Sequence, residues 1–193
     1  MYSCFLCDTL DNMRKVPGVQ RIIGFLPESA QRDFQQLAPD MRLMCQRGDS
    51  LGMRLNHLLT EVLTTGSPRA VVINSDSPTL PVEYMIQAFE QLADVDVVLG
   101  PTEDGGYYLI GLKQPQPHLL LQVQMSTENV LADTLALAAD SKLTVSQLPT
   151  WYDVDTIDDL YKLAGEISAM TTNPIAKATR NWLCQEDWRR LPD

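Results

Sequence analysis

The stretch Val71-Val72-Ile73-Asn74-Ser75-Asp76-Ser77-Pro78-Thr79-Leu80-Pro81 decides the fold. Its first three residues are β-branched and apolar, which reads as a buried strand. A buried parallel strand delivers the residues after it to the carboxyl edge of its sheet, where open α/β folds bind ligands. Here those residues present the carboxylate of Asp76, with a serine on each side and a proline behind. Two further segments share this form: DVVLGPTEDGGYYLIGL (Asp96 to Leu112) and WYDVDTIDDL (Trp151 to Leu160). Each is polar and turn-rich, and joined to an apolar strand, so the three together suggest one ligand site.

Outward from this strand, helical and strand patterns alternate. Tyr2–Arg14 reads as an amphipathic helix ended by Pro17-Gly18. Arg21–Leu26 and Met41–Gln46 read as strands, with a short helix, Glu28–Leu37, between them. Leu51–Leu63 is helical by its leucine spacing, Arg69–Asn74 is the opening strand, and Val82–Leu92 is a helix. Val95–Gly100 and Tyr107–Leu112 are strands. Ser126 or Thr127 is expected to cap a long helix through Ala139, followed by the strand Leu143–Leu148. Thr156-Ile157-Asp158-Asp159 has the form of a capping box. Pro174–Trp188 reads as a helix on the outside. The alternation predicts one α/β domain over 1–193 with a mostly parallel sheet, and a peripheral C-terminal helical segment over 173–193.

Composition narrows the function. A chain of 193 residues, 45% hydrophobic and 21% charged, suits one globular domain with a sizeable core. No apolar run approaches the ~20 residues that span a bilayer. The start, MYSCFLCDTLDNMRK, lacks a basic n-region and a cleavage site, so a cytoplasmic protein is expected. A net charge of −10 argues against a nucleic-acid partner. An anionic nucleotide would need a divalent cation as a bridge. Cys4, Cys7, Cys45 and Cys184 read as reduced and mostly buried, because neither histidine, His57 or His118, forms a ligand pair with them by spacing.

Each site residue has a plainer reading beside the chemical one. Asp76 could merely open a turn, and Asp155 could merely cap a helix. Jointly, two carboxylates at two strand ends can share one hard cation and leave positions for phosphate. Gly105-Gly106 could be a tight turn between strands, or could let a ligand approach the backbone while Asp104 bonds its hydroxyls. Gln46 to Gly52 fits neither a Walker loop nor a dinucleotide fingerprint. Two histidines offer too few bases for a hydrolytic triad.

In order and spacing, SDSPTLP, GPTEDGGYYLIGL, STENVL and WYDVDTIDDL resemble a bacterial family of GT-A-type glycosyltransferase-like proteins. This is domain-of-unknown-function family 2064, also called arsenosugar-biosynthesis glycosyltransferase-like. The similarity runs from about the first helix to at least Leu163, and places the chain near nucleotidyltransferases of the molybdopterin, phospholactate and isoprenoid pathways. The resemblance implies a Rossmann-like, three-layer GT-A fold. It also implies Mg²⁺ or Mn²⁺ on Asp76 and Asp155, and nucleotide contact by Gln46, Leu51 and Gly52. Asp104, the candidate catalytic residue, would face the sugar or acceptor with Gly105 and Gly106. Ser75 and Thr127 are further substrate-contact candidates.

The activity so implied is sugar transfer from a nucleotide-diphosphate sugar to an acceptor, away from nucleic acid and membrane, with a homodimer as the assembly to test. A nucleotidyltransferase and a non-catalytic binding protein are the rival readings. Relatives begin with a strand and a basic loop, roughly K-x-P-x-x-G-x-x-K-T-R-L, which has no equivalent here. That strand is central in the family, so Arg21–Leu26 and Arg69–Asn74 are expected to pair directly, or to have another segment or a second chain fill the slot between them by strand addition.

Overall fold

The structure, a computed structural model, describes residues 1–170, 175–185 and Trp188. Helix α1 (Tyr2–Lys15) leads to β1 (Ile22–Phe25), a 3₁₀ turn (Glu28–Ala30), α2 (Gln31–Leu37) and β2 (Arg42–Cys45). Next come α3 (Leu51–Thr64), β3 (Ala70–Ile73), α4 (Val82–Gln91), β4 (Val97–Pro101) and β5 (Tyr107–Leu112). The chain continues through α5 (Pro117–Leu121), α6 (Val130–Asp140), β6 (Val145–Gln147), α7 (Ile157–Ala169) and α8 (Lys177–Gln185). Of the segment read as a peripheral C-terminal helix, residues 173, 174, 186, 187 and 189–193 lie outside the described residues.

The larger sheet has the order β3-β5-β4-β6. It is mixed: β4 and β6 pair in parallel, while β5 runs antiparallel to both β3 and β4. The antiparallel strand follows from the short link Thr102–Gly106, which permits a hairpin but not a crossover. Val97, Val98, Leu99, Leu109, Ile110 and Leu112 are all essentially inaccessible, because helices cover both faces of the sheet. Side chains of α1 and α4 pack one face, around Val16, Met85, Ala88, Leu92, Val98 and Tyr108. Those of α3, α5 and α6 pack the other, around Leu59, Val97, Leu99, Ile110, Leu119 and Ala138.

Strands β1 and β2 form a separate parallel pair. The expectation that β1 and β3 pair directly, or hold another segment between them, is not met among the described residues. Both strands are instead engaged by α3: Leu58 fills the space over Gly24, and Leu59 packs in one cluster with Ala70.

The helix ends show the local rules at work. Ser50 caps α3 by accepting from the Met53 amide, and Thr156 with Asp159 forms the expected capping box on α7. Neither Ser126 nor Thr127 caps α6, which begins only at Val130 after Asn129. Ser126 has a positive φ of 63°, and the Thr127 hydroxyl donates back to the Gln124 carbonyl, so the chain turns once more before the helix. At the far end, the Asp8 carboxylate of α1, 3% exposed, accepts from the amides of Ala178 and Thr179 at 2.9 and 2.8 Å. Those are first-turn amides of α8, so α1 fastens it.

Candidate functional site

Three loops meet at the carboxyl edge of the larger sheet. The first leaves β3 as Asn74-Ser75-Asp76. The second is the β4–β5 hairpin, where the Thr102 amide donates to the Gly106 carbonyl and the Asp104 carboxylate accepts from the Thr102 hydroxyl and the Gly106 amide. The Asp104 side chain therefore builds its own turn. The third is Trp151–Asp155, which runs beside the second through the parallel bridge Thr102–Trp151.

Alternation along this third segment matters most. Tyr152 and Val154 are buried in the cluster around Phe5, Leu160 and Leu163. An extended chain sends alternate side chains to opposite sides, so Asp153 and Asp155 turn outward together. Two hydrogen bonds tie the segment to the first loop: the Ser77 hydroxyl donates to the Tyr152 carbonyl at 2.9 Å, and the Val154 amide donates to the Asp76 carbonyl at 3.0 Å.

Carboxylate oxygens of Asp104, Asp153 and Asp155 consequently lie within 4.8 Å of one another. Asp76 is outside that trio but shares its field. Burial raises its pKa first, and the charge of Asp155 raises it further. Asp153 feels most of the cluster: burial, then Asp104, and more weakly Asp155 and Asp76, push it up to about 6. Carboxylates so close repel one another, and a hard divalent cation relieves that repulsion while using the oxygens as ligands. The donor set, all oxygen with no thiolate or imidazole, fits Mg²⁺ or Mn²⁺ better than a softer ion.

Several of the other sequence-derived site residues have internal partners. The Gln46 side-chain amide donates to the Gly24 carbonyl at 2.8 Å. At Gly52 a Cβ would stand 2.1 Å from the Leu120 carbonyl oxygen, so this glycine lets α3 meet α5. Leu51 is 46% exposed. Gly105, with φ +91°, has the Glu128 carbonyl oxygen 2.0 Å from where its Cβ would be. Its missing side chain therefore admits the protein's own backbone. At Gly106 a Cβ would meet the Thr102 hydroxyl at 2.9 Å. Ser75 is exposed at the first loop, its hydroxyl 3.4 Å from the Asp76 carboxylate. Thr127 lies in the segment whose Glu128 backs the hairpin.

Asp153 escaped the sequence reading, although the D-x-D spacing of Asp153 and Asp155 carried the signal. Lys162 escaped it too. Its ammonium pairs with Glu103 at 2.7 Å and lies 4.1 Å above the Tyr152 ring, linking the neighbours of Asp104 and Asp153.

Residues 9–127, more than half of the chain, match the family described as an uncharacterized protein conserved in bacteria, DUF2064. The chain belongs to this family. A proposed nucleotide-diphospho-sugar transferase from Desulfovibrio desulfuricans G20 superposes with a TM-score of 0.86 at 28% identity. That match covers 95% of this chain and 82% of the other. The 4-diphosphocytidyl-2C-methyl-D-erythritol synthase of Anaerococcus prevotii DSM 20548 gives 0.61 at 11% identity, over 85% and 86% of the two chains. The manganese complex of Rv0371c from Mycobacterium tuberculosis H37Rv gives 0.55 at 19% identity, over 82% and 85%. No curated protein matches the chain significantly. The DUF2064 chain thus has the GT-A-like, Rossmann-type fold of nucleotide-sugar transferases and cytidylyltransferases. No described helix is long and apolar enough to cross a membrane.

Proposed function

We propose that this protein is a metal-dependent transferase that moves a sugar from a nucleotide-diphosphate sugar to an acceptor. The observation that carries the reading is the convergence of Asp104, Asp153 and Asp155 at the carboxyl edge of the sheet, with Asp76 coupled to them. A diphosphate brought beside these carboxylates would be repelled unless a cation joined them. Asp155 and Asp153 would hold Mg²⁺ or Mn²⁺, with Asp104 and Asp76 completing the acidic wall. When bound, the cation would neutralise the diphosphate and stabilise it as a leaving group.

The chain's own residues do the positioning. The hairpin bonds of Asp104 fix its carboxylate in direction, so an oxygen not used by Thr102 and Gly106 can orient a sugar or acceptor hydroxyl. Ser75 and Thr127 are candidates for polar contacts at the rim. Exposed Leu51, at the first turn of α3, offers an apolar surface for the base, beside Gln46 and Gly52. A cytoplasmic setting and a homodimer belong to the same reading.

Nucleotidyl transfer is the second reading, favoured by the cytidylyltransferase fold likeness. One experiment covers both. A thermal-shift screen with UDP, GDP, CDP and their sugars, with and without Mn²⁺, should show stabilisation only when cation and nucleotide are both present. A ligand at one hundred times its dissociation constant stabilises by about 2.7 kcal/mol, which is easily seen. Pyrophosphate release on mixing with CTP and sugar phosphates would move the assignment to nucleotidyl transfer. No response to any nucleotide with Mn²⁺ would remove both.

A further inference from the structure

Beneath the acidic wall lies a buried hydroxyl cluster with no part in the reading so far. The Tyr152 phenol and the Thr79 hydroxyl both donate to the same Glu166 oxygen, Oε2, Thr79 at 3.1 Å. The two hydroxyls are themselves 3.4 Å apart. Tyr152 and Thr79 are 7% and 2% exposed, so water competes poorly for these bonds. A carboxylate oxygen that accepts two hydroxyls holds both more firmly than a neutral acceptor would. Glu166 belongs to α7, Thr79 to the loop after β3, and Tyr152 to the third segment. Three separate pieces of chain meet at one oxygen.

Tyr152 also relates the loops that carry the carboxylates. Its carbonyl accepts from the Ser77 hydroxyl of the first loop at 2.9 Å. The Trp151 amide before it donates to the Pro101 carbonyl, at the end of β4, at 3.0 Å. The Lys162 ammonium lies 4.1 Å above its ring and pairs with Glu103 on the hairpin, next to Asp104. That ion pair is exposed and contributes little alone. The buried phenol is the stronger hold. Because the segment is extended, Asp153 leaves the backbone beside Tyr152 on the opposite side. A shift of the ring is therefore passed to Asp153, and along the same stretch to Asp155.

We infer that Tyr152, held by Glu166, is a positioning residue that makes the acidic site selective for a small divalent cation, Mg²⁺ or Mn²⁺, over Ca²⁺. The inference rests on the metal site proposed above. Mg²⁺ takes oxygens at about 2.0–2.1 Å in near-octahedral order, whereas Ca²⁺ takes six to eight at about 2.3–2.6 Å in flexible arrangements. Mn²⁺ shares the octahedral preference. Selection between such ions depends on how far the ligand set can expand. With the phenol fixed, Asp153 and Asp155 cannot draw away from Asp104 to admit the larger ion. Freed from Glu166, the segment can do so, and the site loses its preference before the chain loses its fold.

The test counts free Mn²⁺ by its paramagnetic resonance signal in the full chain, with Ca²⁺ titrated in as competitor. Wild type, Tyr152→Phe, Glu166→Ala and Glu166→Gln are compared well below their melting temperatures. Tyr152→Phe keeps the ring and its Lys162 contact and deletes only the hydroxyl. Wild type should prefer Mn²⁺. Tyr152→Phe and Glu166→Ala should each lower the ratio of Mn²⁺ to Ca²⁺ affinity by about tenfold, the effect usual for groups that orient metal ligands. Glu166→Gln should keep the ratio, because its single amide oxygen can accept both hydroxyls. A general loss of stability would not move it, since only folded protein binds either ion. An unchanged ratio in Tyr152→Phe and Glu166→Ala, with wild type binding Mn²⁺, would overturn the inference and leave the metal site standing. If one of these variants fails to fold, the other decides alone. A ratio lost equally in Glu166→Gln would overturn it too, because Glu166 would then act by its charge and not through the phenol. So would a wild type that binds both ions alike. No Mn²⁺ binding by the wild type would remove the metal site itself, and this inference with it.

Discussion

Asp153 is the residue where cost and use can be separated. Its carboxyl pKa is raised from 3.8 to about 6, so the folded state holds a proton that the unfolded state releases. Stability then falls as pH rises from about 4 through 6, and the penalty persists at neutral pH. Two pKa units correspond to about 3 kcal/mol, which solvent screening of a half-exposed group reduces to about 1 kcal/mol. Asp153→Asn should therefore stabilise the metal-free protein at pH 7.5 by about that amount, with the difference vanishing near pH 4. The same variant should lose the Mn²⁺-induced rise in melting temperature. Urea titrations at several pH values, with and without Mn²⁺, read both effects. Lower metal-free stability at pH 7.5 would show that Asp153 has a structural partner instead. Asp8 is the contrast: Asp8→Ala removes the acceptor of two amides and should destabilise by about 2 kcal/mol, as followed by urea unfolding with Trp182 and Trp188 fluorescence.

At the scale of elements, the glycines divide by what they admit. Gly52→Ala pushes a methyl into the Leu120 carbonyl and should cost roughly 1–3 kcal/mol in denaturant unfolding, even without nucleotide. An unchanged midpoint would return Gly52 to a purely ligand-facing role. Thr156→Ala removes the capping box of α7 and should cost about 1 kcal/mol. The strands and most helices were legible because apolar period and punctuation are local properties. Tyr107–Leu112 is readable directly from its run and the glycine pair before it. The features that stayed hidden depend on distant backbone. The sequence cannot show that the Glu128 carbonyl fills the space at Gly105, nor that the extra turn around Ser126 delays α6 to Val130. Asp153 was readable in principle, since D-V-D in an extended segment sends both acids one way. The family resemblance places the second metal ligand on its neighbour Asp155, and the local pattern alone does not add Asp153 to it.

At the scale of the whole molecule, a net charge of −10 opposes an anionic ligand unless a cation joins it. Binding of a nucleoside diphosphate without metal should be weak and should improve as salt rises to about 0.3 M, because screening relieves repulsion. With Mn²⁺ present, the salt dependence should flatten. Calorimetric titration in the four combinations checks this, and affinity that falls with salt in the absence of metal would point to an unrecognised basic site.

The bonds that join Ser77 to Tyr152 and Asp76 to Val154 have a consequence in time. Loops already fastened to each other need not close before a cation can enter between their carboxylates. Loading should therefore be one fast phase whose rate rises linearly with Mn²⁺ concentration, with no plateau from a preceding rearrangement. Replacing Ser77 by alanine cuts one fastening, and in stopped-flow traces a slower second phase should then appear.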